Sequence, residues 1–270
     1  MIKKIILVFV FILLLLPVYF MLVGSLQDIN GVMKMPPDLF PKTVTAYNYI
    51  SMLKWDIATW TMNTIIVFIG TVVLSVFVSC SGAYVFAFYR FKYKKFFWAL
   101  FLIGIMIPRI SLLIPLYVIM RKLGISGSLL AVVLPTVLSP VGLYLARNYF
   151  ETVPISLLES ARLDGANEFI ILRKIVMPVS IPIVTALAVF SGIGALQDYL
   201  WQSLVLQSEQ NQTLLVGLLK SVMQRGGGDL NINPIGRSLA VGMVLLLPLL
   251  LIFILANKYF VESIGGAVKE

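Results

Sequence analysis

Residues 5–26 read IILVFVFILLLLPVYFMLVGSL, an apolar run without one charged side chain. About 20 mostly apolar residues make a helix long enough to cross the hydrocarbon core of a bilayer, so the run predicts a membrane span. Lys3 and Lys4 precede it, as they would in a cleaved signal peptide. The run is longer than the roughly 7–15 residues of a signal-peptide core and no A-x-A site follows, so a retained helix is expected. Five further runs meet the same length requirement, at approximately 62–89, 96–120, 129–146, 179–205 and 238–256. The expected fold class is all-α: one transmembrane domain over residues 1–270, with six transmembrane helices.

Composition points the same way. The chain is 60% apolar and 12% charged, with a mean hydropathy of +0.98, leaving too little polar surface to coat a soluble globule of 270 residues. The net charge of +9 does not imply nucleic acid, because Lys and Arg punctuate apolar runs instead of gathering on one solvated face. The lone cysteine, Cys80, excludes an intrachain disulfide and reads as a small packing residue. Histidine is absent from the sequence, which removes the commonest transition-metal ligand and general base.

Six crossings put both termini on one side, and the Lys/Arg balance chooses which. On the terminal side lie Lys3, Lys4, Arg90, Lys92, Lys94, Lys95, Arg147, Arg162, Arg173, Lys174, Lys258 and Lys269, against eight on the other side and Arg109 within a span. The dense Arg90–Lys95 cluster sits in a short loop, and both termini are expected in the cytoplasm. The long outer segments, 27–61 and 206–237, carry Pro36, Pro37, Pro41 and the Gly226–Gly228 run, which are turn and loop residues.

The link between the fourth and fifth runs, 147–178, is too long for a tight turn and too polar to cross. Ser156 and Glu159 have the spacing of a capping box, with Ser156 as N-cap of a short helix whose apolar face holds Leu157, Leu158 and Ala161. Gly165 is the expected stop, since glycine adopts the left-handed C-terminal conformation without penalty. Asn167 is positioned to cap a second short helix that leads to Pro178.

On these residues the chain resembles the permease subunits of ABC importers. Glu159-Ser160-Ala161, Asp164-Gly165-Ala166, Ile175 and Pro178 have the spacing of that family's EAA loop, with Ser160 in place of the middle alanine and Met177 in place of the leucine before proline. Two further stretches resemble its carbohydrate-uptake branch, which includes the maltose-type permeases. One is Gly266-Ala267-Val268-Lys269, with Glu270 where that branch has glycine. The other is Asp198-Tyr199-Leu200-Trp201 followed by Thr213-Leu214 and Gly217-Leu218, with Ser203 and Leu215 where the branch has prolines. The resemblance covers most of the chain after about Tyr84. It implies a cytoplasmic coupling helix seated in a cleft of an ATPase subunit, with Glu159, Ser160, Ala161, Asp164, Gly165 and Ala166 at the contact. It also implies a second homologous permease, two cytoplasmic ATPase subunits and an extracellular solute-binding protein in a bacterial or archaeal cytoplasmic membrane. A compact knob transmits rigid-body movement that a floppy loop would absorb. Glu159 would then meet a basic group of the ATPase, or only close its capping box, and the two roles are compatible.

Within the membrane, Arg109 lies near the middle of the third run beside Pro108. A charge at that depth costs a few kcal/mol or more unless it is paired or wet, so Arg109 is expected to face the bundle interior. Asp198 falls about 20 residues beyond Pro178, about 30 Å along a straight fifth helix. Arg109, Gln197, Asp198, Tyr199, Trp201 and Gln202 are candidate substrate-path residues. The alternative pairs Arg109 with Asp198 as internal glue and puts Tyr199 and Trp201 in the interfacial aromatic belt. Gly70, Gly82, Ala83, Gly192, Gly194 and Ala195 permit close helix approach, within the chain or along a seam with a second permease.

No G-x-x-x-x-G-K-[ST] loop occurs, so a partner must hydrolyse ATP; this chain is expected to bind no cofactor, while the partner ATPase uses ATP and magnesium. An ion-coupled secondary transporter would commonly carry acidic or histidine relays, and Asp198 is the only acid in the six runs. An intramembrane enzyme would need a clustered nucleophile and base, which the sequence does not offer. The expected function is a non-catalytic permease subunit of an ATP-driven importer of a sugar or oligosaccharide. Amino-acid, phosphate and peptide solutes are the alternatives within the class.

Overall fold

A computed structural model describes residues 2–32, 40, 43–225 and 233–267. Pro36, Pro37, Pro41, the Gly226–Gly228 run and the Val268-Lys269 end of the C-terminal match lie outside these residues. Among the described residues every regular element is helical. The main helices are α1 (Ile2–Ser25), α2 (Ile57–Phe88), α3 (Lys94–Met106), α4 (Leu113–Lys122), α5 (Leu129–Val137) and α6 (Pro140–Phe150). They continue with α7 (Ile155–Leu163), α8 (Glu168–Val179), α9 (Ile181–Gln197), α10 (Tyr199–Val205), α11 (Leu214–Arg225) and α12 (Pro234–Ala267).

Three segments are single helices long and apolar enough to cross a membrane: Lys3–Ser25, Ile57–Phe88 and Pro234–Leu255. Three further pairs reach that length only together and are bent between their halves, by 101° at α3/α4, 43° at α5/α6 and 89° at α8/α9. The third, fourth and fifth runs are therefore interrupted where hydropathy alone predicts continuous helices. Pro108 explains the first break: it lacks an N–H, forces Ile107 into extended backbone, and precedes the 3-10 turn Arg109–Leu112. At the second, Ser139 is an N-cap whose hydroxyl accepts from the Gly142 N–H at 3.0 Å, and Pro140 opens α6. The expected fifth run is cut again at Asp198, which ends α9 and caps α10.

The contacts divide into two compact units, one of residues 1–62 and 212–251, the other of 63–211 and 252–270. In the first, Trp60, Met52 and Trp55 pack with Leu214, Leu218, Ala240 and Val241. The side chains from Ile5 to Leu16 on α1 are all exposed, as lipid-facing apolar groups would be. The two outer segments, expected as loops, hold more helix than turn residues suggest: Tyr47–Ile50, the 3-10 turn Ser51–Lys54 and α11. Asn48 anchors this region, donating through Nδ2 to the carbonyls of Ser25 at 2.8 Å and Gln27 at 3.0 Å.

The second unit has two apolar cores. One gathers Val67, Met120, Ala131–Val133, Ala195, Trp201, Val205 and Leu206; the other joins Cys80, Ala83 and Tyr84 of α2 to Ala146, Phe150, Leu158, Ile171, Val176 and Leu187. Thr71, Ser75 and Ser79 are buried along one stripe of α2 at four-residue spacing, the small polar seam that lets apolar helices approach and exchange hydrogen bonds. Close packing is realised at Gly192 and Gly82, where an added Cβ would fall 2.5 Å from Phe68 and 2.7 Å from Leu143, and Ala83 and Ala195 are buried. Gly194 differs, with open space where a Cβ would project, so its small size serves no contact within this chain. Gly192→Leu is expected to destabilise the protein by about 1–3 kcal/mol through overpacking against Phe68 and Val72, read as a lowered unfolding midpoint in detergent, whereas Gly194→Ala leaves the midpoint unchanged.

Candidate functional site: a two-helix knob and a membrane ion pair

Helices α7 and α8 form a hairpin about one glycine. The Ala166 N–H reaches the Ala161 carbonyl and the Gly165 N–H the Arg162 carbonyl, both at 3.0 Å, with Gly165 at φ +80°. This pair of bonds closes α7 in the Schellman manner, and the left-handed backbone costs a residue with a Cβ about 1–2 kcal/mol. Asn167 then caps α8, its Oδ1 accepting from the Ile170 N–H at 2.9 Å. Both features agree with the spacing read from the sequence.

The start of α7 does not. The residue before the helix is Pro154, with no side-chain cap; its carbonyl accepts from the Leu157 N–H, so Ser156 already lies inside the first turn and the expected capping box is not formed. The proline ring fixes φ near the helical value and lets the chain enter the helix two residues ahead of the sequence signal. Ser160 donates to the Ser156 carbonyl at 2.8 Å. Glu159 is exposed and has no hydrogen-bond or ion-pair partner among the described residues. Of the two roles considered for Glu159, the cap is removed and a carboxylate free to meet another molecule remains.

One face of the knob is built into the unit and the other is bare. Leu158, Ala161, Ile171, Leu172 and Val176 are buried against α2, α6 and α9. Ser160, Asp164 and Gly165 are exposed, Ala166 is half-buried, and Leu163 at the tip is 90% exposed. Within α8 the residues Leu172–Val176 take the wider π-helical turn before the chain bends into α9.

Three residues that sequence reasoning did not single out meet under the hairpin. The Glu168 carboxylate accepts from Arg162 Nε at 3.0 Å and Nη2 at 3.4 Å, and it receives a short hydrogen bond from the Tyr84 hydroxyl of α2. Opposite charges six residues apart across a glycine turn hinted at the Arg162–Glu168 pair; nothing local pointed to Tyr84. The Arg162 guanidinium and then the tyrosine hydroxyls hold the Glu168 carboxyl well below its ordinary value, at about 2.

The membrane candidates separate into two sets. Arg109 Nη2 lies 3.1 Å from Asp198 Oδ2, so the break after α3 and the break after α9 share one ion pair. The Arg109 side chain is 74% exposed on this chain alone and the Asp198 side chain 18%. Asp198 also caps α10, accepting from the Trp201 N–H at 3.4 Å. Gln197 is exposed and Tyr199 half-buried beside them. Trp201 and Gln202 instead turn inward: the indole Nε1 donates to the Ala131 carbonyl at 3.1 Å and Gln202 Nε2 to the Ala195 carbonyl at 2.6 Å. Trp201 is thus packed within the chain and is not a surface belt residue. Among the described residues no cluster of His, Cys, Asp and Glu could hold a metal ion.

Because the Glu168 carboxyl is depressed on folding, its stabilising contribution is complete above its ordinary value of 4.5 and is lost as pH falls through about 2. Hydrogen exchange across 155–179 is therefore expected to be constant in its protection from pH 8 to 5, after correction for intrinsic rates, and to lose protection between 4.5 and 2; Glu168→Gln abolishes that acid step.

Comparison with known proteins supplies the family. The model of the binding-protein-dependent transport system inner membrane component matches residues 75–265. An arabinooligosaccharides transport system permease of Halalkalibacterium halodurans is 33% identical over 235 residues, 85% of this chain and 81% of that protein. The corresponding permease of Bacillus subtilis is 30% identical over 260 residues, 94% and 90% of the two chains. An sn-glycerol-3-phosphate transport system permease of Rhizobium meliloti is 27% identical over 267 residues, 96% and 93% of the two. In three dimensions the chain is similar to a crystal structure of a bacterial ABC transporter involved in the import of the acidic polysaccharide alginate, with a TM-score of 0.84, 23% identity, and coverage of 96% and 95%; that likeness concerns the fold. With the family match spanning most of the chain, this protein belongs to the binding-protein-dependent transport system inner membrane components, the permease subunits of ABC importers.

Proposed function

We propose that this permease carries a sugar or oligosaccharide inward across the cytoplasmic membrane, as one of two membrane subunits driven by a pair of ATPase subunits and fed by an extracellular solute-binding protein. The observation that carries the reading is the α7–α8 knob: it is rigid at its core, bare at its tip, and has the EAA spacing. The choice of solute rests on the relatives, since two permeases with 33% and 30% identity are described as arabinooligosaccharide transporters and a third, with 32% identity over 214 residues, as a galactooligosaccharide transporter. A polyol phosphate is the second reading, favoured by the sn-glycerol-3-phosphate permease that aligns along 96% of this chain.

In this reading the chain crosses six times as a single transmembrane domain, with α3/α4 and α5/α6 each making one bent crossing, α9 and α10 making the fifth, and both termini and the knob in the cytoplasm. The Arg90–Lys95 cluster then lies on the positive side. Closure of the ATPase pair on ATP and magnesium pushes the two knobs of a heterodimer together, and the buried face of each knob passes the displacement to α2, α6 and α9 as a rigid body. Alternating access follows from that movement. Glu159 meets a basic group of the ATPase, while Leu163 supplies an apolar anchor.

Arg109, Asp198, Gln197 and Tyr199 line the pathway in this proposal, where an arginine accessible at membrane depth is solvated by the passage or by solute hydroxyls. Trp201 and Gln202 shape it from behind by fixing α10 to α5 and α9.

Two experiments test the reading. Ser160→Cys is expected to react with a membrane-impermeant maleimide in inverted vesicles and not in intact cells; labelling from outside would overturn the cytoplasmic knob. Arg109→Met is expected to abolish uptake of labelled oligosaccharide while the importer still assembles, and unaltered transport would remove Arg109 from the pathway.

A further inference from the structure

Two short helices joined by a single left-handed glycine make a hinge unless something spans the turn. Buried contacts hold the inner ends of α7 and α8, but Leu163, Asp164 and Gly165 at the turn are exposed and an added Cβ on Gly165 would touch nothing within 4 Å. The apolar core therefore does not by itself fix the angle between the helices at the tip. The Arg162–Glu168 fork does: it ties the last turn of α7 to the first residue of α8 across the glycine, through Nε and Nη2 on one edge of the planar guanidinium. The same carboxylate accepts from Tyr84, which is itself 4% exposed and belongs to the core of α2. Tyr89, at the end of α2, packs edge-on to Tyr84 at 6.0 Å between ring centroids and backs the cluster. One carboxylate is thus the common point of three elements: Oε1 accepts from Arg162 of the neighbouring helix, and Oε2 accepts from both Arg162 and Tyr84 of the long membrane helix.

We infer that Tyr84, Arg162 and Glu168 form a latch that fixes the knob's angle against α2, so that displacement of the tip moves the membrane helices instead of flexing the hairpin at Gly165. They are positioning residues, acting through the knob and not on the solute. The inference rests on the knob being the surface on which the ATPase acts. It adds a route for the motion: tip to Glu168, Glu168 to Tyr84, Tyr84 into α2. A purely structural ion pair would predict weaker folding with unchanged coupling. A latch predicts hydrolysis that outruns transport.

The test uses the complete importer in proteoliposomes, comparing wild type with Glu168→Gln, which keeps side-chain size and removes the charge, and with Tyr84→Phe, which keeps the packed ring and removes only the hydroxyl. The readout is ATP hydrolysed per solute imported, together with the amount of ATPase subunit retained on the purified permease. The expected result is a rise of about fivefold in that ratio for at least one assembled variant, with ATPase retention unchanged. A ratio equal to wild type in both assembled variants overturns the latch, and so does failure of both to assemble, which would make the three residues structural alone. Wild type without ATP-dependent uptake would instead count against the proposed function, so the two failures are told apart.

Discussion

In an apolar solvent every backbone N–H and carbonyl must find its partner inside the chain, and this protein is organised by how it meets that demand where its helices stop. Several helix ends are covered by a named group. Ser128 and Ser139 cap α5 and α6, Asn167 caps α8, Asp198 caps α10, and Pro108 removes a donor where the third run bends. The interruptions are built features with their own side-chain chemistry. Two of them are joined by charge, since the Arg109–Asp198 pair links the break after α3 to the break after α9. An ion pair held at two helix ends sits where small rotations of either half-helix change its geometry most.

In the proposed function the knob meets the opposite demand, because a coupling element must not bend. Its inner residues share one core with Cys80, Ala83 and Tyr84 on α2, Phe150 on α6 and Leu187 on α9. Packed interiors are stiff and transmit strain, whereas an exposed glycine turn is compliant. The fork between Arg162 and Glu168 stiffens the part of the hairpin that the core does not reach. The bare Glu159 and Leu163 offer one charged and one apolar contact of the kind that a protein partner buries.

Relatives whose descriptions name different solutes, arabinooligosaccharides and sn-glycerol-3-phosphate, align over most of this chain at comparable identity. A common fold that carries different functions is the usual pattern, with function set by sites grafted on it.

The all-helical class, the Gly165 stop and the Asn167 cap were legible in the amino-acid sequence, because helix signals and capping are local: each depends on residues within a turn or two. The chance that Arg109 and Asp198 neutralise each other was legible as well, since an unpaired charge at that depth is costly. The interruptions of the third, fourth and fifth runs were not, because a proline or a serine inside an apolar stretch bends a helix only when neighbouring elements accept the bend. The Ser156–Glu159 spacing misled for a related reason: Pro154 began the helix first. Tertiary structure alone decided that Trp201 and Gln202 turn inward and that Tyr84 reaches Glu168, since both outcomes depend on which helices lie side by side, and residues 84 places apart leave no local trace of their meeting.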